Sequence, residues 1–174
     1  MHSRGGTGTM EPTDLNELIK EYVNLAFHGM RAGKSAINVT IDLNLDDTIG
    51  KVSLNTEDFS RVILNLCKNA FDAMRTKSQL SENETYQPVL SIRTYKDNQQ
   101  VVHVEIKDNG PGVPDSIKEK LFQPFFTTKK GTEGTGLGLS ITHDIITKHK
   151  GSIEVSSEEN HFTRFHIYLP QKHT

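Results

Sequence analysis

The segment Asn65–Ala73, NLCKNAFDA, puts two kinds of residue on one helix. Phe59, Val62, Ile63, Leu66, Ala70 and Ala73 recur at helical spacing, so one face packs against a core. Asn65, Asn69 and Asp72 fall on an adjoining stripe. Asparagine is a poor helix former, and burying its amide without partners costs free energy. Three polar residues bordering a core face therefore predict the floor of a pocket.

Moving outward, the chain alternates helical and strand patterns. Upstream, Leu15, Leu18, Ile19, Tyr22, Val23 and Ala26 mark a helix with Thr13 or Asp14 as N-cap. INVTIDLNL alternates Ile37, Val39, Ile41 and Leu43 as a half-buried strand, KVSLN reads as a second short strand, and Thr56 opens the asparagine helix. TKSQLSENETYQP is a polar loop. PVLSIRTYKD and QQVVHVEIKD are strands joined by the turn KDNQQ. From Asn109 to Gly136 the chain is rich in Gly, Pro, Thr and Lys, long for a loop in a compact domain, and such loops tend to be lids or binding loops. A helix over about 137–149 and a hairpin, GSIEVSS with HFTRFHIYLP, complete the pattern. Hairpin strands with helices between them predict an α/β (α+β) two-layer sandwich: a mixed, mainly antiparallel sheet of about five strands on three helices.

Composition limits the function. A chain of 174 residues suits one domain with a real core. With 20 basic and 22 acidic residues, charge supplies no argument for nucleic acid or an anionic membrane as partner. No apolar run approaches the roughly 20 residues that a membrane span needs. The single cysteine, Cys67, excludes an internal disulfide and a cysteine-based zinc site, and its neighbours Ile63 and Ala70 favour a buried structural thiol. Residues 1–12 have too little apolar character for a signal peptide. They read as a flexible tail or an addition to the natural chain, leaving a domain over 13–170 and a C-terminal tail over 171–174.

Two segments carry chemistry. In VVHVEIKDNGPG, Val102, Val104 and Ile106 share one strand face, and alternation puts Asp108 on that same inward face. An ionised carboxylate at the edge of a core needs donors, and the Asn-Gly-Pro-Gly that follows breaks the strand and allows close backbone approach. In GTEGTGLGLS, Gly134, Gly136 and Gly138 lead into an apolar helix, an arrangement that suits phosphate. The G-x-G-x-G spacing is not a dinucleotide fingerprint. Gly33-Lys34-Ser35 imitates the end of a P-loop, but the leading glycine should fall at residue 28, which is His28, and a helix precedes it where a strand is needed.

In order, the chain carries N-x-x-x-N-A, D-N-G-P-G, LFQPFFTTK and G-T-G-L-G-L-S. This set resembles the N, G1, F and G2 boxes of the ATP-binding catalytic domain of sensor histidine kinases, in the superfamily shared with gyrase, the large heat-shock chaperone and mismatch-repair ATPases. The resemblance runs from about Asp14 to Pro170. It implies ATP and Mg²⁺, with Asn69 binding the metal through its amide oxygen and Asp108 accepting from the adenine amino group. Gly110 and Gly112 would let the chain pass close to the base, and Gly134, Thr135, Gly136, Leu137 and Gly138 would cradle the phosphates. Thr163 shares the inward parity of Phe165, Ile167 and Leu169 and is placed at the adenine end. Asp72, Ala73, Val113, Phe122, Thr127 and Lys129 are further residues expected at the nucleotide. The segment between the glycine boxes, with Phe122, Phe125, Phe126 and Lys129, would be a flexible ATP lid; packing in the core is the competing reading of Phe122.

Asn65 separates reaction classes. Hydrolytic relatives place a glutamate here as general base toward water, a role that an amide cannot fill. Neutral imidazole is already nucleophilic, so Asn65 argues for transfer to histidine, with Asn65 and Asn69 as the catalytic pair. The alternatives on the same fold are an ATPase, an anti-sigma-type serine kinase, or a nucleotide-binding regulatory module without chemistry.

The chain departs from the family in two ways. Phe162 stands where a glycine usually precedes the last-strand threonine, and none of the eight histidines lies in a phosphoacceptor box. His143-Asp144 comes nearest, without the following proline. The expected partners are therefore a histidine-bearing dimerisation domain of a parent kinase and, downstream, a response regulator receiver domain. The chain alone is expected to be monomeric and cytoplasmic, whether or not its parent is membrane-anchored.

Overall fold

The computed structural model describes residues 9–80, 85–124, 126 and 138–171. In chain order the elements are β1 (Glu11–Thr13), α1 (Leu15–Arg31), β2 (Thr40–Leu45), β3 (Val52–Leu54), α2 (Thr56–Leu80), β4 (Val89–Lys96), β5 (Val101–Asp108), α3 (Asp115–Lys118), α4 (Gly138–Lys148), β6 (Ser152–Glu158) and β7 (Phe162–Pro170). The main sheet has five strands in the order β2-β4-β5-β7-β6. Only β2–β4 pairs in parallel; the other three pairings are antiparallel. The two-layer sandwich follows, with α1, α2 and α4 on one face.

Strand alternation decides which face that is. Leu90 and Ile92 of β4, Val102, Val104 and Ile106 of β5, Ile153 of β6 and Phe165, Ile167 and Leu169 of β7 are all buried in one cluster. Against them α2 sets Phe59, Val62, Ile63, Leu66, Ala70 and Met74, and α4 sets Ile145 and Ile146. Asp108 and Thr163 share the parity of this buried face and are themselves buried, as alternation requires. Cys67 lies in the core, where burial pushes its thiol up to about 12 and leaves it unreactive at neutral pH.

Local chemistry sets the helix starts. Asp14 caps α1, its side chain accepting from Glu17 N at 3.1 Å. Asn55 caps α2: its side-chain oxygen accepts from Asp58 N at 3.0 Å. The Asn55 N–H in turn donates to His149 Nε2 at 3.1 Å, which ties the start of α2 to the end of α4.

The structure corrects three expectations. Glu11 and Pro12 are not tail: with Thr13 they form β1 and pair antiparallel with β3. Val52 and Leu54 on β3 are fully buried, and buried backbone needs a partner, which β1 supplies. The strand expected from Ile37 is β2 and begins only at Thr40; Ile37 and Asn38 instead bond the Arg31 guanidinium at 3.0 and 2.9 Å and so stay with the end of α1. Helix α2 continues to Leu80, through the start of the stretch expected to be loop.

Leu66 is 1% exposed where α2 meets the sheet. Leu66→Ala is expected to lower the unfolding free energy by about 2–5 kcal/mol, measured by urea titration.

Candidate functional site

The α2 stripe meets a different neighbour at each end. At its first end, Asn65 Nδ2 donates to the carbonyl of Gly138, the first residue of α4, at 3.3 Å. That carbonyl also accepts from Thr142 Oγ1 at 2.9 Å, so Thr142 and Asn65 converge on one oxygen. Asn65 thus tethers α2 to the start of α4. Asn69 lies one turn further along the stripe and is half-buried. Asp72 pairs with Arg75 at 2.8 Å, and Arg75 Nε donates to Ser35 O at 2.9 Å.

At its other end the stripe meets the turn after β5. Asp108 is 5% exposed, and its carboxylate accepts from Gly110 N–H at 2.8 Å. A Cβ on Gly110 would stand 2.8 Å from that carboxylate oxygen and 3.4 Å from the Ala73 methyl, so only glycine lets the turn close onto α2. Gly112 has φ +72°, and a Cβ there would come 2.4 Å from Glu158 O. Any side chain would therefore separate the turn from β6.

The turn is held from outside as well. Asn109 Oδ1 accepts from Val89 N–H at 2.8 Å, and its Nδ2 donates to Gln87 O at 2.8 Å. Val113 N–H donates to Ser157 Oγ at 2.7 Å. Ser157 in turn donates to Phe162 O at 2.8 Å and lies 3.4 Å from Thr163 Oγ1. Thr163 is the direct cross-strand partner of Asp108. Phe162 occupies the opposite face of β7, with Lys107 Nζ 4.9 Å above its ring. The side chain that stands in place of the usual glycine thus lies off the inward face.

Burial pushes Asp108 up to about 7, against the pull of the Gly110 N–H and the Lys77 cation. Tyr86, nearby, is pushed up to about 12, first by burial and then by the Asp108 charge.

The structure therefore gathers Asn65 with Gly138 at one end of the stripe, and Ala73, Asp108, Gly110, Gly112, Val113 and Thr163 at the other. At 1.5 Å per residue, the two ends of the stripe lie about 12 Å apart. Phe122 packs edge-on against Phe165 at 6.1 Å and lies 5.6 Å from the His143 ring, a packing position. Thr127, Lys129, Gly134, Thr135, Gly136 and Leu137, together with Phe125, lie outside the described residues. An open cleft of about 530 Å³ between α1 and β2 shares no residue with the site.

Four residues that hold the site are not among the candidates read from sequence, and only one of them carries a local signal. Asn109 was in view as part of Asp-Asn-Gly. Thr142, Ser157 and Lys77 had no local signal, since each acts on a segment at least 4 residues and as many as 83 residues away.

Residues 54–173 match the family model described as "Histidine kinase-, DNA gyrase B-, and HSP90-like ATPase". Over 97% of its length the chain is 33% identical to the signal transduction histidine-protein kinase AtoS of Escherichia coli (strain K12), covering 25% of that protein. It is 35% identical to sensor kinase CckA of Brucella abortus (strain 2308), again over 97% of the chain but 18% of the relative. The chain thus spans a quarter or less of these two curated relatives. Among solved structures, the catalytic domain of histidine kinase ThkA superposes with a TM-score of 0.75 at 33% identity, over 94% of this chain and 97% of that one.

The raised Asp108 sets a pH dependence. Between about pH 4 and pH 7 the folded chain holds a proton that the unfolded chain has lost, so stability from this residue falls as pH rises through that window. Asparagine cannot ionise and still offers Gly110 an acceptor. Without nucleotide, Asp108→Asn is expected to stabilise the fold at pH 8, by on the order of 1–4 kcal/mol, and much less at pH 5. Urea titrations at both pH values check this; an equal gain at both contradicts it.

Proposed function

The chain belongs to the histidine kinase-, DNA gyrase B- and HSP90-like ATPase family, and we propose that it is the Mg·ATP-binding catalytic domain of a two-component sensor histidine kinase. The observation that carries this reading is the buried Asp108 carboxylate. An ionised carboxylate accepts about four hydrogen bonds, and burying it is costly unless donors satisfy it. The Gly110 N–H satisfies one oxygen. The adenine amino group is the donor that suits the remaining acceptor capacity, beside a glycine turn that lets a flat ring approach.

The rest of the nucleotide follows α2. A ligand lying along α2 from Ala73 to Asn65 spans about 12 Å, with a donor-bearing base at one end and phosphates at the other. The start of α4, tied to Asn65 through the Gly138 carbonyl, lies at the phosphate end, where the positive end of its dipole favours anionic groups. Asn69 lies between, and its neutral amide oxygen suits a hard cation that brings water and phosphate oxygens as its other ligands. Among the described residues no group of three or more His, Cys, Asp or Glu side chains could hold a metal. The donor set thus fits Mg²⁺ held jointly with nucleotide, where it would neutralise charge on the transferring phosphoryl group.

Asn65 favours transfer over hydrolysis. Its amide is occupied as a donor to Gly138 O and cannot take a proton from water. The acceptor is a histidine on a dimerisation domain, with a receiver domain downstream. Four of the chain's own described histidines are engaged elsewhere. His103 and His166 bond each other at 2.8 Å, with Asp97 on the far side of His103 at 2.8 Å. His149 is engaged with Asn55 and Ile145, and His143 packs against Phe122. No described helix is long and apolar enough to cross a membrane. A cytoplasmic location and a monomeric state complete the reading.

Base recognition predicts selectivity. A carboxylate meets an acceptor on guanine where adenine offers a donor, a difference of about 1–3 kcal/mol, so ATP should bind about tenfold or more tighter than GTP. Calorimetry checks it, and Asp108→Asn should lose ATP affinity; equal affinities remove Asp108 from the base site. Catalysis is tested with γ-labelled ATP. The chain alone should stay unlabelled, while a separately supplied histidine hairpin from a related kinase should gain acid-labile, alkali-stable phosphate. Asn69→Ala should abolish that transfer and the Mg²⁺ dependence of binding. Stoichiometric self-labelling, or ATP turnover near ten per second, overturns the assignment.

A further inference from the structure

The turn that carries Gly110 is clamped to the β6–β7 hairpin by one side chain that belongs to neither. Lys77 projects from α2, and its ammonium donates to three carbonyls: Asn160 O at 3.1 Å, Asn109 O at 3.3 Å and Gly110 O at 3.5 Å. An ammonium has three donors, so the clamp uses its full capacity. Its charge also lies 4.6 Å from the centre of the Tyr86 ring, which closes the remaining side. Asn160 is the left-handed residue at the hairpin tip, with φ +68°. Its own N–H donates to Pro111 O at 2.6 Å. The tip and the turn are thus stitched twice, once by backbone and once through Lys77.

We propose that Lys77 is a positioning residue for the nucleotide-base site: by holding the carbonyls of Asn109 and Gly110 to the hairpin tip, it sets where the Gly110 N–H and the Asp108 carboxylate point. This rests on the base-binding role of Asp108 described above. The geometry leaves little slack, because the peptide that gives the Asn109 carbonyl to Lys77 at 3.3 Å gives the Gly110 N–H to Asp108 at 2.8 Å. Moving one end of that peptide moves the other. Lys77 also acts through charge. The ionisable groups that bear on Asp108 are Lys77 from α2, which favours the carboxylate, and Tyr86 from the segment before β4. The cross-strand partners of Asp108 are uncharged: Leu90 on β4 and Thr163 on β7. No residue from β6 or the hairpin tip supplies a second cation, since the tip is Glu158, Glu159, Asn160 and His161, whose imidazole is turned to Glu159 O at 2.9 Å.

The test follows the Asp108 carboxyl carbon by NMR from pH 5 to 9, alongside calorimetry with Mg·ATP at pH 7.5. Lys77→Met should move the Asp108 titration midpoint upward by on the order of one pH unit. It should also weaken ATP binding about tenfold. Lys77→Arg keeps the charge and donors and should restore most of both. A Lys77→Met protein that loses thermal stability but keeps the wild-type midpoint and ATP affinity has lost only a structural brace, which overturns the proposal. Where Lys77→Met does not fold, Lys77→Gln, which keeps an amide donor without the charge, is measured in the same way and read by the same two criteria. Wild-type protein that binds no ATP overturns the base-site reading itself. The midpoint in the variants then still decides whether Lys77 controls the Asp108 carboxylate.

Discussion

A carboxylate on the core side of a sheet sets the terms for everything around it. Asp108 follows Val102, Val104 and Ile106 on the same face of β5, so the strand that builds the core also delivers a charge to its edge. Desolvation resists that charge, and the Gly110 N–H and the Lys77 cation offset part of the cost. The chain turns at once, so that Gly110 donates to the carboxylate. That turn needs glycine where Ala73 crowds it and glycine again where Glu158 crowds it. The surroundings of the turn are there to keep it in this position. Asn109 ties it to the segment before β4, Ser157 ties it to β6, and Lys77 ties it to the hairpin tip.

Helix α2 connects this turn to the other end of the site. Its apolar face is pressed on the sheet and against α1 and α4, so the helix is a rigid bar. Its polar stripe therefore holds fixed spacing. Asn65 reaches Gly138 at one end, and Ala73 meets Gly110 at the other, with Asn69 between them. A site built on one well-packed helix can hold a long ligand in register with little loss to chain motion, which suits chemistry done mostly by positioning. The long capping chain from Asn55 through His149 fixes the far end of α4 to the start of α2. Both helices of the site thus share two points of attachment.

The outward face of the sheet has a different economy. Tyr95 stacks on His103 at 4.4 Å, and Tyr168 stacks on His166 at 4.2 Å. The two imidazoles bond each other, Asp97 bonds His103, and the Asp97 carboxyl is held below its usual range first by that bond. Cross-strand pairs of this kind stabilise an open sheet face. They also account for two of the histidines without recourse to catalysis.

Local periodicity and motif order were enough to read much of this from sequence. The apolar repeats of α1, α2 and α4, the alternation of β4, β5 and β7, the inward parity of Asp108 and Thr163, and the ordered blocks that place the chain in its family all depend on neighbours within a few residues. Such patterns survive in one dimension because the helix and strand repeats are fixed by backbone geometry. The pairing of Glu11–Thr13 with β3 was missed because it joins segments about forty residues apart and carries no turn signal between them. The polar neighbours of Lys77 read as loop, while its partners, Asn109, Gly110 and Asn160, come from two distant turns. The outward placement of Phe162 was likewise invisible until β7 showed its ring on the outer face with Lys107. Sequence determined which residues face inward and in what order the binding blocks run. Tertiary structure alone decided which of them touch, because a hydrogen bond between distant segments leaves no mark on the periodicity of either.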